Sequence, residues 1–355
     1  MSDALPPART DLRPASGPRR PSATHLLPRF LARLLPRRAA FAGIFAALLP
    51  LAAAHGADAA AGTACPPPPQ QLTSESLSAG IRSAKDHGFL WRMTRDGRSS
   101  YLYGTIHAAK AEWMVPGPLT LNALQQSDTL ALELDVLDPD VQRRLAASLA
   151  GQKKEPLPPA LVKRIERQMK AQCADAEIFA RFAPEFQIAS LSVMAARRDG
   201  LDPAHAIDLV LAVLARQFGK PVASLETPEM QMQALQMPSQ AETIDFVSSS
   251  LDDLESGRTR PMLNHIAKVW TDGNYAELAR FESWCNCVDT ATERAAMKRM
   301  LDDRNPQLAA AIDSLHSSGT RVFAAVGSLH MIGPKGLPAL LRQRGYRVEQ
   351  SDFAR

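Results

Sequence analysis

The chain has 355 residues, 45% of them hydrophobic and 22% charged. This is an ordinary globular composition that excludes collagen, coiled coil and wholesale disorder. The formal net charge of +4 is unevenly placed: residues 1–38 hold eight arginines against two aspartates, while residues 60–355 carry 33 basic and 34 acidic side chains. The part that folds is therefore close to neutral. That argues against a nucleic-acid partner, because duplex binding needs basic residues clustered on the folded surface.

After the arginine-rich start, residues 39–54 form an apolar run of sixteen without a charge. A spanning helix needs about 20. A basic start, a short apolar core and small residues at A-x-A spacing read instead as a secretory signal, with Ala52-Ala53-Ala54 and Ala57-Asp58-Ala59 as cleavage candidates. Residues 1–59 are expected to be a leader, residues 60–86 a proline-rich lead-in and residues 87–355 the folded domain. The expected location is periplasmic or secreted, with no stable membrane span after cleavage. Four cysteines, Cys65, Cys173, Cys285 and Cys287, then suggest disulfides. Cys285-Asn286-Cys287 is not zinc spacing. A bond inside that triplet is expected to be strained, so the reading pairs Cys285 or Cys287 with Cys173 or Cys65.

In chain order, strand-like runs at 89–93 and 100–104 flank Arg95-Asp96-Gly97-Arg98, a hairpin signal. Residues 129–135 alternate strictly: Leu130, Leu132 and Leu134 face one way, Ala131, Glu133 and Asp135 the other. The period then turns helical. Asp138-Pro139 opens a helix that Gly151 closes, and further helices are expected over 159–172, over 176–198 with a break at Pro184, and from Asp202-Pro203 to Gly219. Residues 221–227 read as a short strand, 228–318 as almost wholly helical, and 320–327 and 346–349 as the last strands. Met230, Met232 and Met237 read as core filling.

A weak repeat runs through this pattern. Gly104-Thr105-Ile106-His107 and Gly327-Ser328-Leu329-His330 each end a strand and lead through a Pro/Gly loop into a short helix and another strand, one carrying Glu133 and the other Glu349. Strand, helix, strand favours parallel pairing. The expected fold is α/β: two βαβ-type halves forming one central sheet, with a large helical insertion over about 138–318.

Both G-x-x-H histidines fall past the carboxyl end of a strand, where ligands bind in such sheets. Two imidazoles and the Glu133 carboxylate suit either a divalent metal with open positions or an acid–base pair. Arg304 and Asn305 precede Pro306 at a helix boundary. Asn305 is either the next helix's cap or a ligand-positioning group, and Arg304 either an ion-pair partner or an oxyanion stabiliser. His205 and Asp208, three apart at a helix start, read as a solvated face in preference to part of the site, and Glu349 reads as structural.

These motifs together resemble the TraB/GumN family, related to the Tiki metalloproteases. The resemblance rests on His107, Glu133 and His330 in their strand contexts, on Leu225-Glu226-Thr227 with Gln231 or Gln233, on Arg304-Asn305, and on Gly336-Leu337 through Gly345-Tyr346-Arg347-Val348. It covers about residues 88–350. It departs at Ala206-Ile207-Asp208, where the family usually shows Gly-x-Asp. The resemblance implies an erythromycin-esterase/ChaN-like fold and a metal-dependent hydrolase, plausibly a metallopeptidase. Its metal ligands would be His107, Glu133 and His330, with Mn²⁺ or Co²⁺ favoured over Zn²⁺, and Glu133, Arg304 and Asn305 would serve catalysis. The expected substrate is a peptide or small signal molecule. The alternative is a catalytically silent binding or regulatory protein using the same crevice.

Overall fold

The computed structural model describes residues 65, 66, 68, 69 and 84–353. The leader and its cleavage site lie outside the described residues. Six strands form one sheet in the order β4-β3-β5-β2-β1-β6, with β1 at Phe89–Arg95, β2 at Arg98–Thr105, β3 at Thr129–Leu132, β4 at Val222–Ser224, β5 at Val322–Gly327 and β6 at Arg347–Ser351. β1 and β2 form the expected hairpin. Its turn residues Asp96 and Gly97 both have positive φ, 53° and 72°, as a two-residue turn matched to strand twist requires. β2, β5, β3 and β4 pair in parallel, and β1 pairs antiparallel with β6 at the far side.

The two strand–helix–strand units are present and interleaved. β2 leads through α1 (Pro118–Gln126) to β3, and β5 leads through α13 (Leu337–Gln343) to β6. β5 inserts between β2 and β3, so the two G-x-x-H turns leave neighbouring strands at the same sheet edge. All six residues of β5 and all four of β3 are buried. A parallel sheet covered on both faces has no polar side. For that reason the expected alternation along 129–135 holds for only part of its length: the strand stops at Leu132, and Leu134 packs with Val136, Phe182 and Phe186 in a second apolar cluster of the insertion.

Between β3 and β5 the chain is helical apart from β4. The order is α2 (Pro139–Ala150), α3 (Pro159–Gln172), α4 (Ala176–Phe179), α5 (Pro184–Ala195), α6 (Ile207–Gln217), α7 (Pro228–Leu235), α8 (Gln240–Glu255), α9 (Thr259–Thr271), α10 (Tyr275–Leu278), α11 (Ala291–Met300) and α12 (Asn305–Ser317). Asp138 caps α2 by accepting from the N–H groups of Asp140 and Val141, a contact whose loss costs about 1 kcal/mol. α3, α5 and α8 pack around Leu161, Ile165, Ile188, Leu191, Val247 and Leu251, giving the insertion its own core. Met232 is buried in the second apolar cluster and Met237 is buried against Glu185 and Arg299, whereas Met230 is only half-buried, so the core-filling reading holds for part of the group. Among the described residues no helix is long and apolar enough to cross a membrane.

The disulfides correct the expected pairing. Cys65 joins Cys173, 108 residues away, and Cys285 joins Cys287. The local bond forms because Asn286 takes a left-handed conformation, φ 49°, that brings the two Cα atoms to 5.1 Å, inside the ordinary range for a disulfide. Asn is among the few residues that tolerate this conformation.

On the chain-entropy account a loop of over 100 residues stabilises by about 4–5 kcal/mol and one of three residues by about 1–2 kcal/mol. Replacing Cys65 and Cys173 by serine is therefore expected to lower the unfolding free energy in urea at least twice as much as replacing Cys285 and Cys287. Equal losses would contradict this.

Candidate functional site

Each of the four parallel strands delivers one polar residue just past its carboxyl end: Glu226 after β4, Glu133 after β3, His330 after β5 and His107 after β2. The loops are stitched so that these side chains converge. Ser328 Oγ donates to the Thr105 carbonyl at 2.7 Å, joining the ends of β2 and β5. The loop after β2 is tied to the segment before α6 by Ile207 N–H to the Ile106 carbonyl and by an Ala109–Asp202 bridge.

That second tie places Asp208, in the first turn of α6, against His107. Asp208 Oδ2 accepts from His107 Nδ1 at 2.8 Å, and Oδ1 accepts from Thr105 Oγ1 at 2.7 Å. A carboxylate at a helix N-terminus is favoured by the exposed N–H groups there. Asp208 therefore belongs to the cluster and not to a solvated face. His205 is buried, with Nδ1 beside the Ala109 carbonyl. Ala206, where the resemblance leads one to expect glycine, has φ −52° and ψ 131°, a conformation open to any residue, so the alanine leaves the dyad intact.

Arg304 lies in the turn between α11 and α12, and each of its five N–H donors faces a protein acceptor. Nε donates to Glu226 Oε2 at 3.0 Å, Nη2 to Glu226 Oε1 and to Glu133 Oε2 at 2.7 Å, and Nη1 to the Met300 carbonyl at 2.9 Å and towards His330 Nε2 at 3.4 Å. Gln231 Nε2 bridges the same two carboxylates. Glu133 Oε1 accepts the Gly327 N–H at 2.8 Å and lies 3.8 Å from His107 Nε2. Asn305 holds His330: its Nδ2 donates to the Lys335 carbonyl at 2.9 Å, so its Oδ1 is the acceptor for His330 Nδ1 at 2.6 Å. His330 thus carries its proton on Nδ1 and presents a lone pair at Nε2. Arg304 is thus an ion-pair partner of Glu133 and Glu226, and Asn305 does not cap the helix but holds His330, a contact neither alternative named.

The electrostatics follow from these contacts. Burial disfavours the charged form of Glu133, but Arg304, His330, His107 and the Gly327 N–H together hold it well below the usual carboxylate range. Burial and the Glu133 charge push Glu226 up against the pull of Arg304. Burial also disfavours charge on both histidines. Asp208 and Glu133 more than offset this at His107, which is pushed up to about 9, whereas His330 falls to about 4. The two histidines of the same motif are thus an imidazolium and a neutral imidazole at neutral pH. A third of the His107 side chain is accessible, while the Glu133 side chain is buried and that of Arg304 is 12% exposed.

A model of the TraB/PrgY/gumN family matches residues 89–350. The chain belongs to the TraB/PrgY/gumN family. No curated protein and no solved structure matches it.

The arrangement bears on the divalent ion that the resemblance implies in this family member. The Nδ1 atoms of His107 and His330 are anchored on acceptors, as in metal-binding histidines. However, the lone pairs of His330 Nε2 and Glu133 Oε2 face the Arg304 guanidinium, and Glu133 Oε1 is engaged by Gly327. Among the described residues no three His, Cys, Asp or Glu side chains stand close enough together to hold an ion. As placed, the three residues do not fit a metal, because Arg304 fills the position of the cation. Glu349 lies on edge strand β6, paired with Arg347 and away from the cluster.

Three members of the cluster lay outside the expected site. Glu226 and Gln231 are visible in the sequence only as parts of the Leu225-Glu226-Thr227…Gln231 segment, and Asp208 only as an acid at a helix start and as the aspartate of the altered Gly-x-Asp.

Because the His107 pKa in the folded state lies above its ordinary 6.5, its stabilisation is fully present below pH 6.5 and lost as the pH rises through about 9. Nuclear magnetic resonance should show the His107 imidazole titrating well above neutral, and Asp208→Asn should return it towards the ordinary range. Titration near 6.5 in the unmodified chain would contradict the dyad. A Cβ at Gly327 would stand 3.1 Å from His107 Nε2 and 3.2 Å from Glu133 Oε1. Gly327→Ala should therefore shift the His107 titration while leaving the circular dichroism unchanged. An unmoved titration would show that the pair yields without cost.

Proposed function

We propose that this family member is an exported hydrolase whose reacting groups are His107 and Glu133, acting on a peptide or small signal molecule. The observation that carries this reading is the His107–Glu133 pair itself: Nδ1 of His107 locked to Asp208, and Nε2 at the accessible end of the cluster, 3.8 Å from Glu133 Oε1. That separation is too long for a direct hydrogen bond, and one water oxygen at about 2.8 Å from each atom spans it. The environments drive the two groups apart, one held as an acid and the other as a carboxylate, which is how acid and base roles are divided. His107 Nε2–H donates to the leaving group. Glu133 orients the attacking water and takes up its proton. Arg304 has no N–H left for an oxyanion, so it acts as a positioning residue: it keeps Glu133 ionised and correctly turned. The two disulfides support export, since such bonds persist in oxidising compartments.

The purified mature chain is assayed by mass spectrometry on a peptide library and with a chromogenic acetate ester, before and after dialysis against a chelator. His107→Gln and Glu133→Gln are each expected to lose at least about 100-fold in turnover while keeping the circular dichroism spectrum of the folded chain at the assay temperature. Parent and His107→Gln chains that are equally inactive on both substrates would end the hydrolase reading. Activity abolished by the chelator and restored only by Mn²⁺ or Co²⁺ would replace it with a metal-dependent one. Export is checked by N-terminal sequencing of chain from the cell envelope, where a start between residues 55 and 66 is expected and an intact Met1 chain in the cytosol would contradict it.

A further inference from the structure

The Cys285–Cys287 bond closes a ring across a single residue, so it constrains the unfolded chain far less than Cys65–Cys173 does. It also holds Asn286 at φ 49°, outside the regions that most side chains prefer. A bond that stabilises little and fixes an unusual backbone calls for another explanation than stability. Its two sulfurs differ. Cys285 is buried, 2% exposed, behind Phe281 and Trp284, whose rings pack edge to face at 5.0 Å. Asn286 is exposed and Cys287 half-buried. The Cys287 N–H donates to Cys285 Sγ at 3.2 Å, so a negative charge arising on that sulfur already has a donor. The segment is anchored on both sides, by the Trp284 indole donating to the Glu277 carbonyl at 3.1 Å and by the Thr290–Glu293 capping box of α11. Opening the ring therefore need not unfold its neighbours.

We propose that Cys285–Cys287 is a thiol–disulfide exchange centre acting on cysteine thiols of other exported chains. A client thiolate attacks the Sγ of the half-buried Cys287. The Cys285–Cys287 bond breaks, and Cys285 leaves with the electron pair beside the Cys287 N–H, giving a client–Cys287 mixed disulfide. A second thiolate on the client attacks the client's own sulfur in that bond, and Cys287 leaves with its electron pair. The client has lost two electrons and gained a disulfide. Cys285 and Cys287 have gained the two electrons and take up the two protons. A low-molecular-weight disulfide restores the centre by the same steps in reverse. Unequal access, with one half-buried attacking position and one fully buried partner, suits such exchange.

The test uses the mature chain in graded mixtures of reduced and oxidised glutathione, quenched with N-ethylmaleimide and mapped by peptide mass. The Cys285/Cys287 peptide is expected to take two labels, with the unfolding temperature lowered by no more than the small loss that a three-residue loop contributes. A reduced two-cysteine peptide should be oxidised in one equivalent per chain without added oxidant. In Cys285→Ser the remaining Cys287 should react with 5,5′-dithiobis(2-nitrobenzoate) at least tenfold faster than Cys285 does in Cys287→Ser. No peptide oxidation by the parent chain, or a Cys285/Cys287 peptide that stays unlabelled in every mixture, would overturn the proposal whether or not the variants fold. Neither outcome bears on His107 and Glu133.

Discussion

The Arg304 guanidinium is the contact on which the rest of the cluster depends. It reaches from the turn between two insertion helices to carboxylates that follow β3 and β4, and to an imidazole that follows β5. Two buried carboxylates a few ångströms apart repel each other and lack water, so neither is stable as an ion without a shared cation. Removing one partner from such a buried arrangement typically costs about 3–5 kcal/mol, because it strands charge without solvent. The guanidinium also helps keep Glu133 ionised against its burial, while the neighbouring His330 is held neutral first by burial and then by the positive charge of Arg304 beside it. Charge at the sheet edge is thus set by one planar group whose donors all have partners.

The insertion is therefore part of the site. The sheet alone supplies His107, Glu133 and His330. Asp208 comes from α6, Glu226 and Gln231 from the stretch around β4 and α7, and Arg304 and Asn305 from the start of α12. Two copies of one short motif have been given different neighbours by that insertion. His107 received a carboxylate and His330 an amide, and the difference in partner decides which ring carries charge.

Local signals made much of the fold legible. Asp96-Gly97 predicts a turn that needs positive φ twice, Asp138-Pro139 predicts a capped helix, and each G-x-x-H motif predicts a strand end leading through a short helix to another strand. Each depends on residues close in sequence, and each is found. What stayed hidden depends on distant partners. Asp208 gives no sign of its contact with a histidine 101 residues earlier. The alternation around Glu133 could not reveal that the strand ends at Leu132, because that depends on helices covering both faces. Likewise the cysteine pairing turned on whether Asn286 adopts a left-handed backbone, a choice that spacing does not encode.

The ends of the sheet carry a consequence for the chain's behaviour at high concentration. β4 at one end is three residues long, and β6 at the other is five, with Arg347, Glu349 and Gln350 exposed along it. An exposed strand end invites another molecule to add a strand, and the invitation fails when the edge is short or when incoming backbone must displace charged side chains. At high concentration, these two modest strands keep a sheet built on apolar parallel strands from pairing with its neighbours.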